Sequence, residues 1–74
     1  KAALGEKESR KALEMGAVET LYLSSKIPKN KIYELSKMAE NIGSTVKIIS
    51  VETPEGEQFF NMAGIGAVLR FKIG

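Results

Sequence analysis

Apolar positions recur along this chain at two alternating spacings, one suited to helices and one to strands. Glu6 to Met15 is a charged run whose apolar side comes from Ala12, Leu13 and Met15, and Gly16 stands where a left-handed residue closes a helix. Ala17 to Ser24 (AVETLYLS) is rich in Val, Leu and Tyr and reads as a strand covered on both faces. Pro28 breaks that pattern, and from Lys29 to Asn41 the residues Ile32, Leu35, Met38 and Ala39 return at helical spacing, with Gly43 as the stop. This is the clearest helix in the chain.

Val46 to Val51 (VKIISV) is a short β-branched strand. Thr53-Pro54-Glu55 then opens a third helix, which Gln58 to Met62 completes. Thr53 is a capping residue, Pro54 fits the first turn, and Glu55 and Glu57 suit the positive end of the helix. A reciprocal capping box needs Glu or Gln at position 56, which is Gly, so the cap is plain. Ala63-Gly64-Ile65-Gly66 is the joint to a final strand, Ala67 to Ile73 (AVLRFKI). Helices alternating with strands predict an α/β domain, a central sheet with helical cover. The strands on either side of the second helix should run parallel, while the last strand's direction stays open.

Composition narrows the chemistry. The 74 residues make one domain, 1–74, and a first residue of Lys rather than Met sets the expectation of a piece of a longer protein. With no Cys and no His there is no disulfide, no thiolate or imidazole metal site, and no cysteine nucleophile. The expectation is therefore no catalytic residue, no metal and no cofactor. A net charge of +2 is far from the basic stripe of a nucleic-acid module. No apolar run approaches the roughly 20 residues that span a bilayer, so a cytoplasmic domain without membrane contact is expected.

Each candidate motif has a plainer reading. Gly64-Ile65-Gly66 follows a helix and precedes a strand, the reverse of a dinucleotide fingerprint. Glu55 and Glu57 stand two apart on a helix and diverge, so they form no catalytic pair. Ser24-Ser25-Lys26 lacks a base in reach and reads as a strand-to-helix loop, retained as a candidate surface. Of Phe59 and Phe60, about 100 degrees apart on the helix, one should face the core and the other its edge. Arg70 interrupts a run that otherwise favours burial. Alternation puts Val68, Arg70 and Lys72 on one face and Leu69, Phe71 and Ile73 on the other, leaving Arg70 either at a solvated edge or ready for an acidic partner.

KALEMGAVE (Lys11 to Glu19) and GEQFFNMAGIGAVLRF (Gly56 to Phe71) resemble the C-terminal domain of class-1 peptide chain release factors of the archaeal and eukaryotic type. The likeness covers nearly the whole chain. It implies a sandwich of helices around a mixed sheet, similar to ribosomal proteins that bind kink-turn RNA, at the C-terminal end of a translation termination factor. It also implies docking to the partner translational GTPase and to the ABC-type recycling ATPase, with the ribosome reached through the parent protein. The family's binding segments fall here on Leu13, Glu14, Met15 and Gly16, and on Ala67, Val68, Leu69, Arg70 and Phe71. The family's GGQ and NIKS motifs are absent and belong to other domains.

Two features depart from that pattern. Many members insert a small subdomain after the first strand, whereas here Ser25 passes to the second helix within a few residues. That brings the chain towards the Pelota family of ribosome-rescue factors, which shares the domain and lacks the insert. The kink-turn binders carry a Gly/Asn-rich motif where this chain has SSKIPKN, a departure that weighs against a kink-turn RNA-binding module.

Overall fold

A computed structural model describes Ala2 to Phe71. Seven elements follow in order: β1 (Ala2–Leu4), α1 (Glu6–Glu14), β2 (Val18–Ser24), α2 (Lys29–Asn41), β3 (Thr45–Ile49), α3 (Pro54–Met62) and β4 (Ile65–Leu69). Punctuation in the sequence sets most of these limits. Gly16 and Gly43 adopt φ of +67° and +74° behind α1 and α2, a backbone region that a side chain disfavours. Thr53 caps α3 as expected, its Oγ1 accepting the Gly56 N–H at 3.0 Å.

The four strands form one mixed sheet in the order β1-β4-β2-β3. β2 and β3 are parallel, as the intervening helix predicts, and Leu21 stands beside Val46. β4 settles the direction left open by the sequence. It returns antiparallel between β1 and β2, with Leu21 opposite Ala67 and Leu23 opposite Ile65. The pairing contains a bulge at Glu19, between Val18 opposite Leu69 and Thr20 opposite Val68.

Alternation then divides the sheet. Leu21, Leu23, Ile65 and Ala67 share the face covered by α1 and α2, where Ala12, Leu13, Leu35 and Ala39 complete the core. Each fully buried Leu among them stabilises by about 1.5–3 kcal/mol. α3 lies across the opposite face, with Phe59 over Gly66 beside Leu4, and Phe60 reaching round towards Ile27 and the core. The two phenylalanines thus divide as their helical spacing predicts. The layers form an α-β-α sandwich with two helices on one face and one on the other.

Three expectations need correction. β1 has no counterpart in the sequence reading; Ala-Ala-Leu carries no strand signal and is held by its pairing with β4 and by Ala3 against the core. The last strand is Ile65–Leu69 rather than Ala67–Ile73, because Ile65 and Gly66 are buried sheet residues and not a joint; Lys72 and Ile73 lie outside the described residues. Phe71, placed within that strand on the face of Leu69 and Ile73, lies past the strand's end and is 48% exposed. The second sheet face is also only partly covered, since Leu4 and Val68 remain open to solvent.

An ion network joins the first two helices. Glu6 accepts from Lys31 Nζ at 2.7 Å and from Arg10 at 2.9 Å, while Arg10 also pairs with Glu34 at 2.9 Å. Hydrogen bonds from Lys31, then from Arg10, hold the Glu6 carboxyl below the usual carboxylate range. The Arg10 hydrogen bond does the same for Glu34.

Candidate docking surface

The two segments singled out in the sequence meet at one end of the sheet. α1 stops at Glu14, Gly16 turns the chain, and β2 begins at Val18. β4 ends beside this turn, with Leu69 opposite Val18 and the Arg70 N–H donating to the Ala17 carbonyl at 2.7 Å. Met15, two residues before Ala17, and Phe71, directly after Arg70, are 51% and 48% exposed. Glu14 is exposed, Gly16 and Leu69 are partly covered, and Val68 opens onto the sheet face that α3 leaves bare.

Not every anticipated residue presents itself. Leu13 and Ala67 are buried in the core, so their side chains support the surface from beneath. Arg70 is exposed, yet its guanidinium turns back onto the protein. Nε and Nη2 donate to the Val18 carbonyl at 3.0 and 2.6 Å, and Nη2 also reaches the Ile42 carbonyl at 3.3 Å. Ser44 Oγ donates to the same Val18 carbonyl at 2.6 Å.

The bulge explains this convergence. An extra residue at Glu19 disturbs the ladder beside Val18, whose carbonyl then takes side-chain donors. Ile42 is the C-cap of α2, where carbonyls lack intrahelical donors. Sequence reasoning missed Ser44 altogether. Its position directly after the helix-ending Gly43 was the only hint of a local role.

The remaining candidates match their plain readings only in part, since neither the Ile65-Gly66 joint nor a loop position for Ser24 is found. Ile65 and Gly66 are buried strand residues, and Glu55 and Glu57 lie exposed in the first turn of α3. Ser24 is buried, its Oγ accepting the Lys26 N–H at 3.2 Å, and the Lys26 ammonium sits 5.4 Å from the Phe60 ring centroid. Among the described residues no three His, Cys, Asp or Glu gather to hold a metal, and no helix is long and apolar enough to cross a membrane.

Comparison with known proteins gives this geometry a context. Residues 1–73 match the family model described as eRF1 domain 3. Peptide chain release factor subunit 1 of Pyrococcus abyssi is 34% identical over 119 aligned positions, covering 97% of this chain and 29% of the relative. A Pelota homolog of Methanobrevibacter smithii is 39% identical over 74 positions, covering 99% of this chain and 21% of the relative. Among solved structures, ribosome-bound archaeal Pelota with ABCE1 superposes with a TM-score of 0.86 at 32% identity, covering 99% of this chain and 22% of that one. The chain thus spans between a fifth and a third of the length of the relatives it matches.

Proposed function

The chain belongs to the eRF1 domain 3 family, and from that premise we propose that it is a protein-docking domain of a cytoplasmic translation termination factor. In this reading it binds the partner translational GTPase and the ABC-type recycling ATPase, bringing both to a parent protein that occupies the ribosome. The domain itself performs no chemistry, and peptide release belongs to another domain of the parent. The observation that carries the proposal is the meeting of two segments distant in sequence at one sheet end, where the Arg70 N–H bonds the Ala17 carbonyl and each segment bears an exposed apolar side chain, Met15 on one and Phe71 on the other. Exposed aromatic and thioether side chains of this kind anchor protein interfaces.

One observation supports a second reading, in which the parent is of the Pelota type rather than a release factor. The release-factor alignment runs over 119 positions against a chain of 74 residues, so that relative carries interior residues absent here. The Pelota homolog aligns over 74 positions. The short Ser24–Pro28 turn, tied by the Lys26 N–H to Ser24 Oγ, leaves no room in this chain for an inserted subdomain.

Calorimetric titration of the chain with a purified archaeal translational GTPase tests the proposal. We expect saturable binding, weakened at least about tenfold by Phe71→Ala, as truncation of an aromatic anchor weakens an interface. Failure of the unaltered chain to bind would refute the assignment.

A further inference from the structure

We propose that Arg70 is a positioning residue of the docking end, and that it does not engage the partner through its charge. The inference rests on the docking reading for its consequence, and on hydrogen-bond geometry alone for its mechanism. Arg70 ties three segments together. Its backbone N–H fixes the end of β4 to Ala17 at 2.7 Å. Its guanidinium holds the Val18 carbonyl at the start of β2 and the Ile42 carbonyl at the end of α2, at 2.6 and 3.3 Å from Nη2.

Arginine suits the task because its planar fork offers several donors in fixed directions, whereas an ammonium is a single point charge. The Nε/Nη2 edge is the one that makes side-on pairs with carboxylates, and here both atoms are already committed to Val18. Those same bonds anchor the start of β2 directly after the turn formed by Met15 and Gly16. Ser44 shares the work, because its hydroxyl donates to the same Val18 carbonyl at 2.6 Å. Removing Arg70 therefore loosens the frame of the docking surface while Ser44 keeps that carbonyl satisfied.

The test compares the unaltered chain with Arg70→Ala, Arg70→Lys and Ser44→Ala, under conditions where each remains folded by circular dichroism. Amide exchange followed by NMR reads the clasp directly. Arg70→Ala should speed exchange at position 70 and at the start of β2 by about tenfold or more, beyond any change at Leu23 and Ile65 at the far end of the sheet. Titration with the same GTPase at about 50 and 300 mM KCl reads the consequence. Affinity should fall by a similar factor at both salts in Arg70→Ala, fall less in Arg70→Lys, and keep its salt dependence in both.

A loss of affinity confined to low salt, with local exchange unchanged, would make Arg70 a contact cation and overturn the inference. Faster exchange with unaltered affinity would reduce Arg70 to a purely structural residue and overturn it equally. If the unaltered chain does not bind the GTPase, the docking reading fails. The exchange comparison still decides the clasp, since uniform exchange across the sheet would overturn that as well.

Discussion

Gly56 offers the sharpest test of the packing described above. It sits in the first turn of α3, buried against the turn that follows β3. A Cβ added there would lie 1.7 Å from the Ser50 carbonyl oxygen and 2.8 Å from its carbon. Carbon-to-oxygen contacts settle at about 3.3 Å or more, so Gly56→Ala must open this joint by roughly 1.6 Å. Both partners are backbone, and no side-chain rotation relieves the clash. Forced overpacking costs about 1–3 kcal/mol. The same movement pulls the Gly56 N–H away from Thr53 Oγ1, now at 3.0 Å, a cap worth about 1 kcal/mol. Alanine's better helix propensity returns at most about 1 kcal/mol, leaving a net loss of about 1–3 kcal/mol. In a domain of this size that lowers Tm by about 5–20 °C.

Urea unfolding monitored by circular dichroism measures the loss, and Gly66→Ala provides the matched control. There an added Cβ meets Phe59 Cε1 at 3.4 Å and Leu4 Cδ1 at 3.7 Å, ordinary contact distances. That variant should stay within about 0.5 kcal/mol of the unaltered chain. If Gly56→Ala also falls within that range, the Ser50 turn yields freely and the reasoning is wrong.

Two further predictions follow from buried and paired groups. Ser9 is fully buried on the inner face of α1, and its Oγ has no hydrogen-bond partner among the described residues; Ser9→Ala should therefore raise the urea midpoint at constant slope, by about 1–2 kcal/mol of stability, and a lowered midpoint would contradict this. The lowered carboxyl pKa values of Glu6 and Glu34 make their contribution present above the ordinary carboxylate range and lost as pH falls through the folded values. Thermal stability should accordingly decline as pH falls below about 4.3, and less so in a Glu6→Gln, Glu34→Gln double variant; identical acid profiles would remove the network from the stability of the fold.

Much of this architecture is legible in the residue order, for reasons that are local. Helix stops at Gly16 and Gly43 and the Thr53-Pro54 start each depend on backbone geometry within one turn. The parallel pairing of β2 and β3 follows from the helix between them. β4 was harder because AVLRFKI is apolar enough to suggest a longer strand, while its true start, Ile65-Gly66, looks like a turn. Only tertiary contacts resolve this. Gly66 is a strand residue because it pairs with Leu4 of β1 and Tyr22 of β2, and Ile65 fills the core opposite Leu23. The two docking segments were legible as motifs, but their meeting depends on β4 lying next to β2. The role of Arg70 depends on a bulge at Glu19, for which the residue order carries no signal.

The distribution of charge adds an argument about where a partner fits. The seam between α1 and α2 is closed by Glu6, Arg10, Lys31 and Glu34, whose side chains answer one another. The outer strand β3 carries an exposed Lys47 at its centre, and a lysine on a sheet edge discourages the addition of another strand. At the α1–β2 turn the pattern reverses. The guanidinium that could have guarded this end is folded inward onto carbonyls, leaving Met15 and Phe71 as its exposed apolar groups. In the proposed docking a partner meets those apolar groups beside the exposed Glu14, with the Arg70 guanidinium already committed to carbonyls. Such a contact requires the segments bearing those side chains to hold a fixed spacing, which is the task the proposal gives to Arg70.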